Sequence, residues 1–212
     1  MMRTYCTLLT VLLVVAIQST AALGDTTYRA TITTAAEVPA PTISLTTGGP
    51  RPIPFGTATF VLNSAKTQMT MTATINNIDV TGSQSADTND NLTLAHIHAS
   101  PTVTPTSTAG VVWGFFGSPI NDNNPDNRVV TPFATGVGGT FTGRWDAPEG
   151  NGTTLAAQLS NIGTQHAYIN FHTMQNGPGE IRGFLVEIPE PSTMLLLMVG
   201  AVAMVSRRRA LR

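Results

Sequence analysis

Four histidines are the residues of this chain best suited to chemistry, and their spacing is ordered. His96 and His98 stand in Ala95-His96-Ile97-His98. Alternate residues of a β-strand share a face, so the two rings point the same way. His166 and His172 lie six apart around Tyr168-Ile169-Asn170-Phe171, an even spacing that would place them on one face of a second strand. Two such strands side by side would bring three or four imidazoles together. Imidazole is a common ligand of zinc and copper, and a three-histidine set with an open position can hold a reactive metal. The expected metal set is therefore His96, His98, His172 and His166, with Cu or Zn as the ion. Glu180 could orient one ring from behind. Equally, Glu180, Arg182 and Asn170 could form a polar network in which the histidines are structural.

The other chemistry-bearing positions are weaker. Asp146 and Glu149 form a carboxylate pair, but they sit in a Pro/Gly turn. Asn121 to Asn127 offers Asp122 and Asp126 to a hard cation such as Ca²⁺, without the spacing of an EF-hand. Asn, Asp and Pro form turns in their own right, and a solvated turn is the preferred reading. Neither Gly-x-Ser-x-Gly nor His-Glu-x-x-His occurs. The chain therefore reads as non-enzymatic. Trp113, Trp145 and Tyr168 could stack on sugars, although a core role is the better expectation for each.

The elements that must position the histidines are strands. Gly56, Ala58, Phe60 and Leu62 alternate with Thr57, Thr59 and Asn63, and Met69, Met71, Ala73 and Ile75 alternate with threonines. Further strands are expected over 28–34, 92–98, 111–116, 139–145, 154–159, 167–173 and 180–186. Pro39 to Pro54, with five prolines, reads as a long loop. Many short strands separated by Gly/Pro/Asn turns predict an all-β fold, an antiparallel β-sandwich of immunoglobulin-like or superoxide-dismutase-like kind.

Both ends read as addresses. Arg3, an apolar run over 8–17 and the small residues Ser19 to Gly24 have the order of a secretory signal, assigned to 1–24. At the other end Pro189-Glu190-Pro191 precedes an apolar stretch, and Arg207, Arg208 and Arg209 follow it. A transmembrane helix is expected over 193–206, its arginine end in the cytoplasm. Residues 25–188 remain as one exported domain, with 189–212 as the tail.

Charge and cysteine narrow the partners. Over residues 25–190 six basic residues face twelve acidic ones, a net charge of −6. Nucleic-acid binding needs a basic patch, so it is excluded. The single cysteine, Cys6, lies in the signal, which leaves the domain without a disulfide or thiol chemistry.

Two stretches resemble known families. Pro189-Glu190-Pro191, the apolar helix and the arginine cluster resemble a PEP-CTERM sorting tail. That resemblance implies transient anchoring in the membrane by the C-terminal helix, processing by an exosortase-type enzyme, and final residence in the cell envelope or outside the cell. Ala95-His96-Ile97-His98, the run from Tyr168 to Thr173 and Gly179-Glu180-Ile181-Arg182-Gly183 resemble the CHRD domain. Tyr28-Arg29-Ala30 and Ala36-Glu37-Val38-Pro39 fit its opening. This resemblance implies a β-sandwich and says little of function. The sorting tail, the threonine-rich surface, the acidic charge and the lack of nucleophile motifs point instead to a binding or structural module of an extracellular matrix, with exopolysaccharide or surface proteins as partners. A pro/threonine stretch from Ser100 to Thr108 replaces the glycines that usually follow the family's His-x-His. A metal-binding protein with a redox role is the alternative.

Overall fold

Alternation of small or apolar residues with threonine gives this chain its strands. The computed structural model describes residues 24–122 and 128–189. The signal segment, the tail from Glu190 onward with its expected membrane helix, and Asp126 lie outside the described residues. Strands β1 (Thr26–Thr33), β2 (Phe55–Leu62), β3 (Gln68–Asn76), β4 (Leu92–Ala99) and β5 (Val111–Phe116) come first. They are followed by β6 (Val129–Pro132), β7 (Gly138–Asp146), helix α1 (Leu155–Gly163), β8 (Ala167–Thr173), β9 (Ile181–Phe184) and β10 (Val186–Ile188).

The strands form one sheet in the order β5-β4-β8-β9-β1-β2-β3-β7-β6, with β10 also on β1. Every strand pairing is antiparallel. The all-β, antiparallel expectation holds. The sheet is continuous and curls into a half-barrel. Its curl is recorded by the rings that meet across the interior. Trp113 of β5 stacks on Trp145 of β7, with centroids 5.6 Å apart and planes at 6°. Phe171 of β8 meets Phe141 of β7 at 5.4 Å and Phe115 of β5 at 5.8 Å. Both tryptophans and Tyr168 are buried, so none offers a platform for sugars.

Burial along the strands separates two regions. In β2 and β3 apolar residues face the core, while Thr57, Thr70 and Thr72 are exposed, as expected of a sheet wet on one side. From Ala95 onward β4 is buried on both faces, and β8 is buried throughout. One face of that pair carries Ala95, Ile97, Ile169 and Phe171 into the core. The other carries His96, His98, Tyr168, Asn170 and His172, and loops cover it.

One expected strand is a helix. Residues 154–159 begin α1, with Thr154 as its cap: the Thr154 hydroxyl oxygen accepts from the Ala157 amide at 3.3 Å. Leu155, Leu159 and Ile162 recur at helical spacing, and Leu155 and Ile162 are buried. That stripe overrides the strand reading. Among the described residues no helix is long and apolar enough to cross a membrane.

Candidate metal centre

The period-2 spacing of β4 puts His96 and His98 on the covered face, and the register brings β8 beside them. His96 lies opposite Asn170, His98 opposite Tyr168, and Leu94 opposite His172. His172 is therefore a diagonal neighbour of His96, within reach of a ring. The ring centroids lie 5.2 Å apart for His96 and His172, 5.7 Å for His96 and His98, and 5.8 Å for His98 and His172. Exposure is 2%, 8% and 5% for His96, His98 and His172. Gly114 on β5, opposite His96, leaves room for this packing. A Cβ there would collide with the Pro119 carbonyl and press on the His96 ring.

Three backbone carbonyls fix how each ring is protonated. His96 donates from Nε2 to the Ser118 carbonyl at 3.2 Å. His98 donates from Nδ1 to the Ala109 carbonyl at 2.9 Å, and His172 from Nδ1 to the Gly177 carbonyl at 2.8 Å. A carbonyl only accepts, so each of these nitrogens must carry the proton. The lone pairs are then on His96 Nδ1, His98 Nε2 and His172 Nε2. All three atoms are buried and have no hydrogen-bond partner. One ring nitrogen from each residue lies within 4.8 Å of the other two. A metal bound at about 2.0–2.1 Å would draw the widest pair inward by roughly 1 Å. The carbonyls that hold the opposite nitrogens are the outer partners typical of metal-ligating histidines.

Burial also keeps the rings neutral. It pushes the His96 and His98 pKa values down from 6.5 to about 4, and it lowers that of His172. For His96 the neighbouring His172 adds to the shift, and for His98 both other histidines do. Neutral imidazole is the form that binds a metal.

A second layer holds the loops over the rings. The Tyr168 ring stacks on His98 at 4.9 Å, and its hydroxyl accepts from the Ala109 amide at 3.1 Å. The guanidinium of Arg182 lies 4.8 Å from the Tyr168 ring centre. It donates to the carbonyls of Pro105 at 2.6 Å, Ser107 at 2.9 Å, and Ala36. One buried arginine thus fastens the 100–110 loop and the 34–36 turn.

Residues 28–185, three quarters of the chain, match the family described as the CHRD domain. The chain belongs to the CHRD domain family. Residues 187–209 match the PEP-CTERM protein-sorting motif. Together the two matches support an exported protein that is sorted by exosortase, with membrane anchoring before processing. No curated protein and no solved structure matches it.

Within this CHRD domain the expected residues have different fates. His96, His98 and His172 converge. His166 does not join them: β8 starts at Ala167, and the positive φ of Gln165 (61°) turns the chain just before it. The His166 ring instead shares a hydrogen bond with the Thr164 hydroxyl at 3.0 Å. Glu180 orients no ring. Its carboxylate accepts from Thr173 and, at 2.8 Å, from Asn176, and it pairs with Arg51 at 2.5 Å. Asn170 sits between His96 and Arg182 in the register, with its Oδ1 buried and unpartnered. Asp146 pairs with Arg144 at 3.1 Å, and Glu149 accepts from the Asp146 amide, so that pair is a turn. Neither Arg51 nor the three tethering carbonyls carry a signal in the residue pattern. Glu37, buried beside Asn170, was visible only as part of the opening motif.

Proposed function

We propose that this protein is a non-enzymatic module of the cell envelope or extracellular matrix, whose CHRD domain binds one transition-metal ion, copper or zinc, through His96, His98 and His172. One observation carries the reading. Three buried imidazoles stand close enough for one ring nitrogen of each to lie within 4.8 Å of the others, and the three nitrogens whose lone pairs are fixed by a backbone carbonyl behind them have no hydrogen-bond partner. Orphaned buried polar atoms are costly, about 1–3 kcal/mol each, and a shared ligand resolves all three at once.

The sorting-motif match supports a site in the cell envelope, and exopolysaccharide and surface proteins are the partners we propose. We read the curled sheet as a sandwich, a reading supported by the stacking of Trp113 on Trp145 across the interior. The acidic pairs are engaged in turns and buried ion pairs, which supports binding rather than catalysis.

The test is the metal content of the full chain, purified in detergent without chelator or polyhistidine tag. Near one equivalent of copper or zinc is expected, and it should be absent from the His96→Ala/His98→Ala double variant. A wild-type protein that stays empty after titration with both metals would make the histidines structural.

A further inference from the structure

The ligand set says more than that a metal binds; the inference below rests on the metal reading above and concerns which ion the site holds. We infer that the three-histidine site selects a monovalent d¹⁰ cation, Cu(I), over the divalent ions Zn(II) and Cu(II).

The argument is one of charge. Among the described residues, the cluster able to ligate a metal contains His96, His98 and His172 and no carboxylate or thiolate. All three donors are neutral, so the ion keeps its whole charge. The rings are more than nine-tenths buried. The free energy of burying an ion rises with the square of its charge, so a divalent ion is penalised about four times as much as a monovalent one. Zinc sites of this kind reduce the charge with a carboxylate, a thiolate or a bound hydroxide.

The surroundings offer no spare negative charge. Glu180 is committed to Arg51 at 2.5 Å. The other buried carboxylate on this side, Glu37, lies in the field of Arg182 and touches Asn170. Arg182 itself is fully buried, and its positive charge is felt at His98 through the stacked Tyr168 ring. Glu37 Oε2 and Asn170 Oδ1 are buried without a hydrogen-bond partner; the amide oxygen is neutral, and burial pushes the Glu37 pKa up, toward the uncharged acid. Three neutral imidazoles suffice for Cu(I), which is stable with three ligands. Zn(II) takes a fourth, which here would be a water, neutral unless it ionises, or an imported anion.

Affinities of the detergent-purified full chain decide the matter. Cu(I) would be measured anaerobically with ascorbate against a chromophoric Cu(I) chelator, and Cu(II) and Zn(II) against their own competitors. Ag(I) serves as a monovalent ion that does not change oxidation state. The expected order is Cu(I) and Ag(I) bound one per chain, at least about a hundredfold tighter than Zn(II). Cu(II) should bind weakly, improving when azide is added as a compensating anion. His172→Gln, which keeps size and polarity, should remove the monovalent binding while retaining the wild-type melting curve within a few degrees. Zn(II) or Cu(II) binding as tightly as Cu(I), without an added anion, overturns this inference and leaves the metal site standing. Failure of all four ions to bind overturns both.

Discussion

His98 lies flat against Tyr168, with ring centroids 4.9 Å apart and planes within 2° of parallel, and the two residues grip the same loop residue, Ala109. The Ala109 carbonyl accepts from His98 Nδ1, and the Ala109 amide donates to the Tyr168 hydroxyl. One loop residue thereby sets both the protonation of His98 and the position of the ring that packs on it.

Tyr168→Phe separates the two effects. The stack is kept, and the Ala109 amide loses its acceptor. Stability should fall by about 1 kcal/mol in urea denaturation. Metal affinity should fall roughly tenfold, since the carbonyl behind His98 is less well held. Tyr168→Ala should cost about 3–5 kcal/mol through the lost ring.

Arg182→Lys tests the fastening of the loop. Lysine is a point donor and cannot reach the Ala36, Pro105 and Ser107 carbonyls together. Two carbonyls on half-buried or exposed residues are left without this donor, at about 1 kcal/mol each. Limited proteolysis should show new cleavage between Ser100 and Gly110. An unchanged cleavage pattern would show that the loop is held by other contacts.

The metal-free protein should lose stability on mild acidification. The folded-state pKa values of His96 and His98 lie near 4, against 6.5 when exposed, and that of His172 is lowered as well. Between these values the unfolded chain binds more protons than the folded one, so stability falls as the pH drops from 6.5 toward 4. Burial raises the pKa values of Glu37 and Asp90, which opposes the trend for two groups. Melting temperatures across pH 7 to 4 check the sign. In His96→Ala/His98→Ala the slope in this window should flatten.

Thr154→Ala removes the cap of α1 and should cost about 1 kcal/mol. The helix lies apart from the histidine face, so metal stoichiometry should not change. Calorimetry and metal analysis of the same sample check both halves.

The histidine pair on β4 was legible because strand spacing has a strict period of two, and a residue's face follows from counting. Counting did not carry across His166, because an even spacing matters only inside a strand and β8 starts one residue later. Residues 154–159 are expected as a strand, yet Leu155, Leu159 and Ile162 carry helical spacing and Ala156, Ala157 and Gln158 between them are helix formers, which decides for α1. Edge strand β6 is four residues long and ends in Pro132, too short for alternation to show. The cover over the rings was not legible at all. Its contacts are backbone carbonyls of Ala109, Ser118 and Gly177, and a carbonyl leaves no mark in the residue sequence. Glu180 was expected at a ring, but its partner Arg51 comes from the proline-rich loop, far away in sequence.

The most direct test of the metal centre is X-ray absorption on the metal-loaded full chain, read beside the His172→Gln variant. The account predicts three nitrogen donors at about 2.0 Å with the outer-shell scattering of imidazole, and loss of the bound-metal signal in the variant. A spectrum dominated by oxygen donors, or one unchanged by His172→Gln, would contradict it.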